Sequence, residues 1–157
     1  MSVKGQIFSF DFLVACSIFL IALTIIYIYW GYVALQIEET RLTNDMIDKL
    51  NLASQVWFRE GTPKYWDSSN VVELGLLSGH SFNQTKMDLL KNEIGYGKAL
   101  TLIGAGDYYL YYRVTNETNS ILFEFGSLPS NPKNAMKAER VGILNDSIAI
   151  VEVILWG

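Results

Sequence analysis

The sequence predicts an α+β fold built from a long N-terminal helix, two short helices and a C-terminal antiparallel sheet of about four strands. Three observations predict it. Residues Phe12 to Leu35 run without a charge. Apolar residues then recur at three- and four-residue spacing as far as Trp57. The last third of the chain is rich in β-branched and aromatic residues, broken by polar turn signals.

The uncharged run reads as a membrane-spanning helix, because at ~1.5 Å per residue it covers a hydrocarbon core of ~30 Å with residues to spare. An ordinary secretory signal has a shorter apolar core followed by small residues. This run ends instead in Tyr27, Tyr29, Trp30 and Tyr32, the amphipathic rings expected at headgroup depth. Lys4 and the α-amino group precede the span, whereas Glu38 and Glu39 come ahead of Arg41 after it. The positive-inside rule therefore puts the N-terminus in the cytoplasm and the rest of the chain outside a single-pass cell membrane anchor.

Beyond the span, Leu35, Ile37, Leu42, Ile47, Leu50, Leu52, Ala53, Val56 and Trp57 interleave with Glu38, Glu39, Arg41, Asp45, Asp48 and Lys49. This pattern predicts an amphipathic continuation of the helix to about Phe58, stopped by Gly61 and Pro63. Residues 61–80 read as an irregular connection with one short apolar element, Val71 to Leu77. A helix is expected from Gln84 to Glu93 and a shorter one from Lys98 to Ile103, closed by Gly104-Ala-Gly106-Asp107. Strands are expected at Tyr108 to Val114, Ile121 to Phe125, Ala138 to Leu144 and Ser147 to Trp156. Thr115 to Ser120 is a polar turn, and Asn145-Asp146 is the two-residue turn of a hairpin. Taken in sequence, the strands suggest a meander with one face on the helix.

The 157 residues carry 12 basic and 16 acidic side chains, and no Lys/Arg cluster that would mark a nucleic-acid surface. Cys16, the single cysteine, lies in the apolar run, so no intramolecular disulfide can form; it reads as a small packing residue, with lipidation or redox chemistry as alternatives. Gly95-Tyr-Gly97-Lys98-Ala99 lacks the spacing and the hydroxyl of a phosphate loop, and Gly104-Ala-Gly106 lacks the third glycine of a dinucleotide site. His80, the only histidine, stands in a Ser/Gly loop without a nearby ligand cluster. No serine sits in a nucleophile elbow. The chain is expected to be no enzyme and to hold no metal or cofactor.

Tyr108, Tyr109, Tyr111 and Tyr112 offer either core or inter-subunit packing or an aromatic ligand platform, and strand alternation sends at least half of them inward. Three sequons occur, at Asn83-Gln-Thr85, Asn116-Glu-Thr118 and Asn145-Asp-Ser147. Each asparagine is a candidate for N-glycosylation on an exposed head. Asn83 reads equally as a helix cap and Asn145 as a hairpin residue.

Lys4-Gly5-Gln6, followed by Ile7-Phe8-Ser9-Phe10-Asp11-Phe12 and the apolar run, resembles the N-terminus of archaeal type IV pilin-like proteins. Stretches from Gly61 to Trp66, Val71 to Leu76, Lys86 to Leu90, and Leu102 through Tyr112 look like the head domains of the same group. The resemblance implies that a prepilin peptidase cuts between Gly5 and Gln6 and that the apolar helix stays on the mature chain. It also implies that Asp11 pairs with a neighbouring subunit's N-terminal amine. Counting from Gln6, Asp11 falls sixth where the common pattern has the acid fifth, although Ser9 keeps its place two before the acid. An aspartate merely solvated at the membrane interface is the alternative.

The division that follows is a leader at residues 1–6, a transmembrane and assembly helix at 7–35, its amphipathic continuation at 36–60 and an extracellular head at 61–157. The implied function is that of a structural subunit of a cell-surface filament, with copies of itself, other pilins, the peptidase and the membrane as partners. Adhesion, surface attachment and DNA uptake are all uses open to such a filament. The alternative is an unprocessed single-pass anchor whose head binds a partner.

Overall fold

The computed structural model describes residues 4–157, with side chains from Phe10 onward, and divides into one unit ending at Thr43 and a second, Asn44–Gly157. Helix α1, Lys4–Gln55, supplies the whole described part of the first unit and the opening of the second. A single 3₁₀ turn, Val56–Phe58, ends it.

In the first unit the apolar side chains of α1 are uncovered: Phe12, Ile18, Phe19 and Ile25 each expose more than three-fifths of their surface. None of the most apolar window of this helix is buried, and the helix is long and apolar enough to cross a membrane. The polar side chains of the run look after themselves. Ser17 donates its hydroxyl to the Leu13 carbonyl at 2.8 Å, and Thr24 to that of Leu20 at 2.7 Å. In a medium without water this internal pairing removes the cost of leaving a hydroxyl unmatched.

In the second unit α1 and the 3₁₀ turn that ends it send one stripe inward. Met46, Leu50, Ala53, Val56 and Trp57 are buried, while Asp45, Asp48, Asn51 and Gln55 remain exposed. Trp57, fully buried, is the hub of the core. Its ring meets Phe82, Tyr112 and Phe123 edge-on, at centroid distances of 5.3, 5.4 and 5.8 Å. These T-shaped contacts each add ~0.5–1.5 kcal/mol to the area they bury.

After α1 comes a loop held by side chains. Trp66 buries its ring and donates Nε1–H to the Gly75 carbonyl at 2.9 Å. Gly75 is required by close approach, since a Cβ there would stand 2.1 Å from the Gly61 nitrogen. The short hairpin β1 (Leu77–Ser78) and β2 (Ser81–Phe82) turns at Gly79-His80. The expected apolar element, Val71 to Leu77, forms no strand except at its last residue; it supplies an isolated bridge, Thr62 to Glu73, and the buried Leu74 and Leu76. Lys86 pins the loop from within by donating Nζ–H to the Leu77 carbonyl at 3.0 Å and also to that of Glu60. Helix α2 (Gln84–Leu89) passes into a π turn over Leu90–Ile94, and α3 covers Tyr96–Ile103.

The sheet comprises β3 (Tyr109–Asn116), β4 (Ile121–Gly126), β5 (Ala135–Leu144) and β6 (Ser147–Trp156). Every pairing is antiparallel, but the order is β4-β3-β6-β5, two hairpins joined through β3 and β6. The expected meander is therefore corrected. It would have left β6 at an edge, yet Ser147–Trp156 is apolar on both faces, and between β3 and β5 even its outward side chains from Ile150 to Trp156 are half-covered. Residues 127–134, Ser-Leu-Pro-Ser-Asn-Pro-Lys-Asn, carry the chain from one edge strand to the other. Leu110, Tyr112, Val114, Phe123, Phe125, Val151, Val153 and Leu155 face the helical core.

Candidate functional site

Asp11, in the first unit, is exposed on α1. Lys4, Gly5 and Gln6 begin the helix, and their side chains lie outside the described residues, as do Met1, Ser2 and Val3 altogether. Tyr27, Tyr29, Trp30 and Tyr32 follow one another on exposed turns, with 79%, 65%, 71% and 58% of their surface open. Gln36 donates Nε2–H to the Tyr32 hydroxyl at 2.9 Å, so the polar bond of this region falls just past the aromatic cluster.

The tyrosine cluster of β3 splits as strand alternation requires. Tyr112 is fully buried on the core face and donates its hydroxyl to the Ala53 carbonyl of α1 at 2.7 Å. Tyr108 donates to Asp45 at 2.9 Å. These two bonds set β3 alongside α1 in the helix's own direction. Tyr111 faces the other side of the sheet, where it donates to Glu124. Tyr109 is half exposed and stacks on Trp156 at 4.3 Å, so these two rings occupy each other's faces.

That outer face carries an ion-pair row that the sequence did not reveal. Glu124, Arg113, Glu152 and Glu139 stand opposite one another on β4, β3, β6 and β5. Arg113 donates Nη2–H to Glu152 at 2.8 Å, and Lys137 reaches Glu139 at 2.8 Å and Glu152 at 3.6 Å. Hydrogen bonding to Glu139 holds the Lys137 ammonium above its usual range, and the same contact draws the Glu139 carboxyl down. Bonding to Glu152 does likewise for Arg113. Lys137 and Glu139 stand two apart on β5, and their cross-strand partner Glu152 depends on a register that only the strand order supplies. Burial, then the bond to Glu124, pushes the Tyr111 hydroxyl up to about 12. Burial alone raises Tyr112, and burial pulls the Lys86 ammonium down.

The three sequon asparagines have different surroundings. Asn83 caps α2, its Oδ1 accepting from the Lys86 N–H at 3.2 Å. Asn145 and Asp146, both with positive φ (51° and 60°), form the tight turn between β5 and β6 that the sequence predicted. Asn116 closes the β3–β4 hairpin: its Oδ1 accepts from the Thr118 N–H, the Thr118 hydroxyl and the Ser120 N–H. Because β6 runs antiparallel to β3, the Asn116 and Asn145 turns share one end of the sheet, the end away from Tyr108 and Asp45. His80 is exposed at the tip of the β1–β2 hairpin. Gly95 and Gly97 flank the start of α3, and Gly104 caps its end. Among the described residues no three His, Cys, Asp or Glu side chains converge where they could hold a metal ion.

No protein-family model, no curated protein and no solved structure matches the chain.

Proposed function

We propose that the chain is a type IV pilin-like structural subunit, trimmed between Gly5 and Gln6 and assembled into a cell-surface filament through α1. The observation that carries the reading is one helix with two characters. Uncovered apolar side chains fill its first unit, and a buried stripe ending in Trp57 makes it part of the core of an α+β head. The same element would anchor the subunit in lipid before assembly and pack against neighbouring helices afterwards. Lipid is as apolar as leucine, so exchanging lipid for helices offers little hydrophobic gain, and specificity falls to packing and polar pairing. A carboxylate at the edge of the hydrocarbon costs a few kcal/mol, which a neighbour's N-terminal amine would offset; Asp11 is assigned that role.

Shearing the producing cells and sedimenting the released material tests the reading. The native chain is expected in the sheared, sedimenting fraction, and Asp11→Ala is expected to remain in the membrane. A native chain confined to the membrane would overturn the proposal.

A further inference from the structure

Of the three sequons, we propose that Asn116 is the one that carries an N-linked glycan, Asn83 and Asn145 remaining bare. The inference rests on the reading that the head lies outside the membrane. The chemistry requires a free amide nitrogen and a hydroxyl two residues on, presented together on an accessible segment. In the acceptor step Asn116 Nδ2 bonds to the anomeric carbon of a lipid-phosphate-linked oligosaccharide. The anomeric carbon–oxygen bond breaks, the lipid phosphate leaves with the electron pair, and the amide proton passes to a base of the transferase.

At Asn116 these parts are already assembled. Three donors converge on one atom of the side-chain amide, with the Thr118 hydroxyl at 2.8 Å, the Thr118 N–H at 3.1 Å and the Ser120 N–H at 2.8 Å. That atom must be the oxygen, since the amide nitrogen offers only hydrogens. Among the described residues, Asn116 Nδ2 has no hydrogen-bond partner, so it is the free end of the group. Hydrogen bonds to the oxygen also stabilise the charge it gains as Nδ2 gives up its proton. Asn116 itself is half-buried, but Glu117, Thr118, Asn119 and Ser120 are all exposed, which leaves the tip of the hairpin clear for an enzyme and a sugar. Thr118 is β-branched and stiff at χ1, so holding its hydroxyl on the amide costs little entropy.

The other two sequons lack this arrangement. The Asn83 oxygen accepts from the Lys86 N–H and not from the hydroxyl of its own sequon, for Thr85 already belongs to α2, where side chains near its start and two positions apart point to different sides. Asn145 is exposed, but it is fixed with positive φ in a two-residue turn, and Ser147 is tied into the ladder opposite Leu144. Among the described residues, neither Thr85 nor Ser147 donates its hydroxyl to its own asparagine.

The test is mass spectrometry of the native full-length chain from its producing cell. Trypsin separates the sequons onto three peptides, Tyr65–Lys86, Val114–Lys133 and Val141–Gly157. A glycan mass on Val114–Lys133 alone is expected. It should be lost in Thr118→Ala and retained in Thr118→Ser, with unchanged circular dichroism in both. A bare Val114–Lys133 peptide, or glycan on either other peptide instead, overturns the assignment. In parallel, Ser130→Cys is treated on intact cells with a membrane-impermeant maleimide, with the wild-type chain as the control for Cys16. Labelling with a bare Asn116 refutes the acceptor alone. No labelling refutes the outside placement, and with it both this inference and the filament reading.

Discussion

Removing one oxygen from Tyr112 tests how the sheet is fastened to helix α1. In Tyr112→Phe the ring still fills its place against Trp57 and Phe125, so nearly all the packing survives and the loss is confined to one hydrogen bond. That bond, 2.7 Å to the Ala53 carbonyl, is fully buried, and no water can take the departed hydroxyl's place. A net hydrogen bond contributes ~0.5–1.5 kcal/mol, and an acceptor left short of a partner in the interior adds to the cost, so ~1–2 kcal/mol is expected. For a domain of this size that is a fall in Tm of roughly 4–8 °C. Tyr108→Phe deletes the same group from a bond of 2.9 Å to Asp45 at the surface, where water substitutes; the change there should stay within ~0.5 kcal/mol. Thermal unfolding of the full-length chain in detergent, followed by the fluorescence of the buried Trp57 and Trp66, reads both. If Tyr112→Phe melts with the wild type, or if Tyr108→Phe costs as much, burial is not what sets the strength of these two bonds.

Two further predictions follow from the same physics. Gly75→Ala places a methyl 2.1 Å from the Gly61 nitrogen and should lower stability by more than ~2 kcal/mol, whereas Gly97→Ala enters open space in α3 and should raise it by ~0.5–1 kcal/mol; equal melting temperatures would refute the contrast. Alkaline pH should destabilise the head. Tyr111 is pushed up to about 12, and Tyr96, Tyr108 and Tyr112 shift the same way, so the folded state holds protons that the unfolded chain releases near pH ~10. Their stabilisation is complete below pH ~10 and is lost as the pH climbs towards about 12; Lys86, shifted down, opposes this as a single group. Urea midpoints should hold steady from about pH 8 to 9.5 and fall beyond, and a flat profile through about pH 11.5 would contradict the assignment.

The parts of this fold legible in the sequence are those fixed by local pattern. The length of α1, its amphipathic turn into Trp57, the Asn145-Asp146 hairpin and the approximate bounds of α2, α3 and the four strands follow from spacing, composition and turn chemistry. Strand order was not legible as read, because pairing is a matter of which apolar faces find each other across long stretches of chain. β6 is apolar on both faces, and its place between β3 and β5 is what half-covers its outward side chains. The β1–β2 hairpin was missed because Leu77–Ser78 and Ser81–Phe82 are too short to show alternation. The ion-pair row on the outer face needed the register of three strand pairs, and the Lys86 bonds to the loop needed a tertiary fold. The sequons were visible as triplets, but what distinguishes Asn116 from Asn83 and Asn145 is the direction of a hydroxyl.

The most direct test of the central claim is the mass of the N-terminal peptide of the native protein, compared between membranes and sheared surface material. A peptide beginning at Gln6 in the sheared fraction is the predicted result, since it requires both cleavage after Gly5 and release with a filament. A chain found only in membranes and still beginning at Met1 or Ser2 would contradict processing at this bond, and would favour the unprocessed single-pass anchor whose head binds a partner.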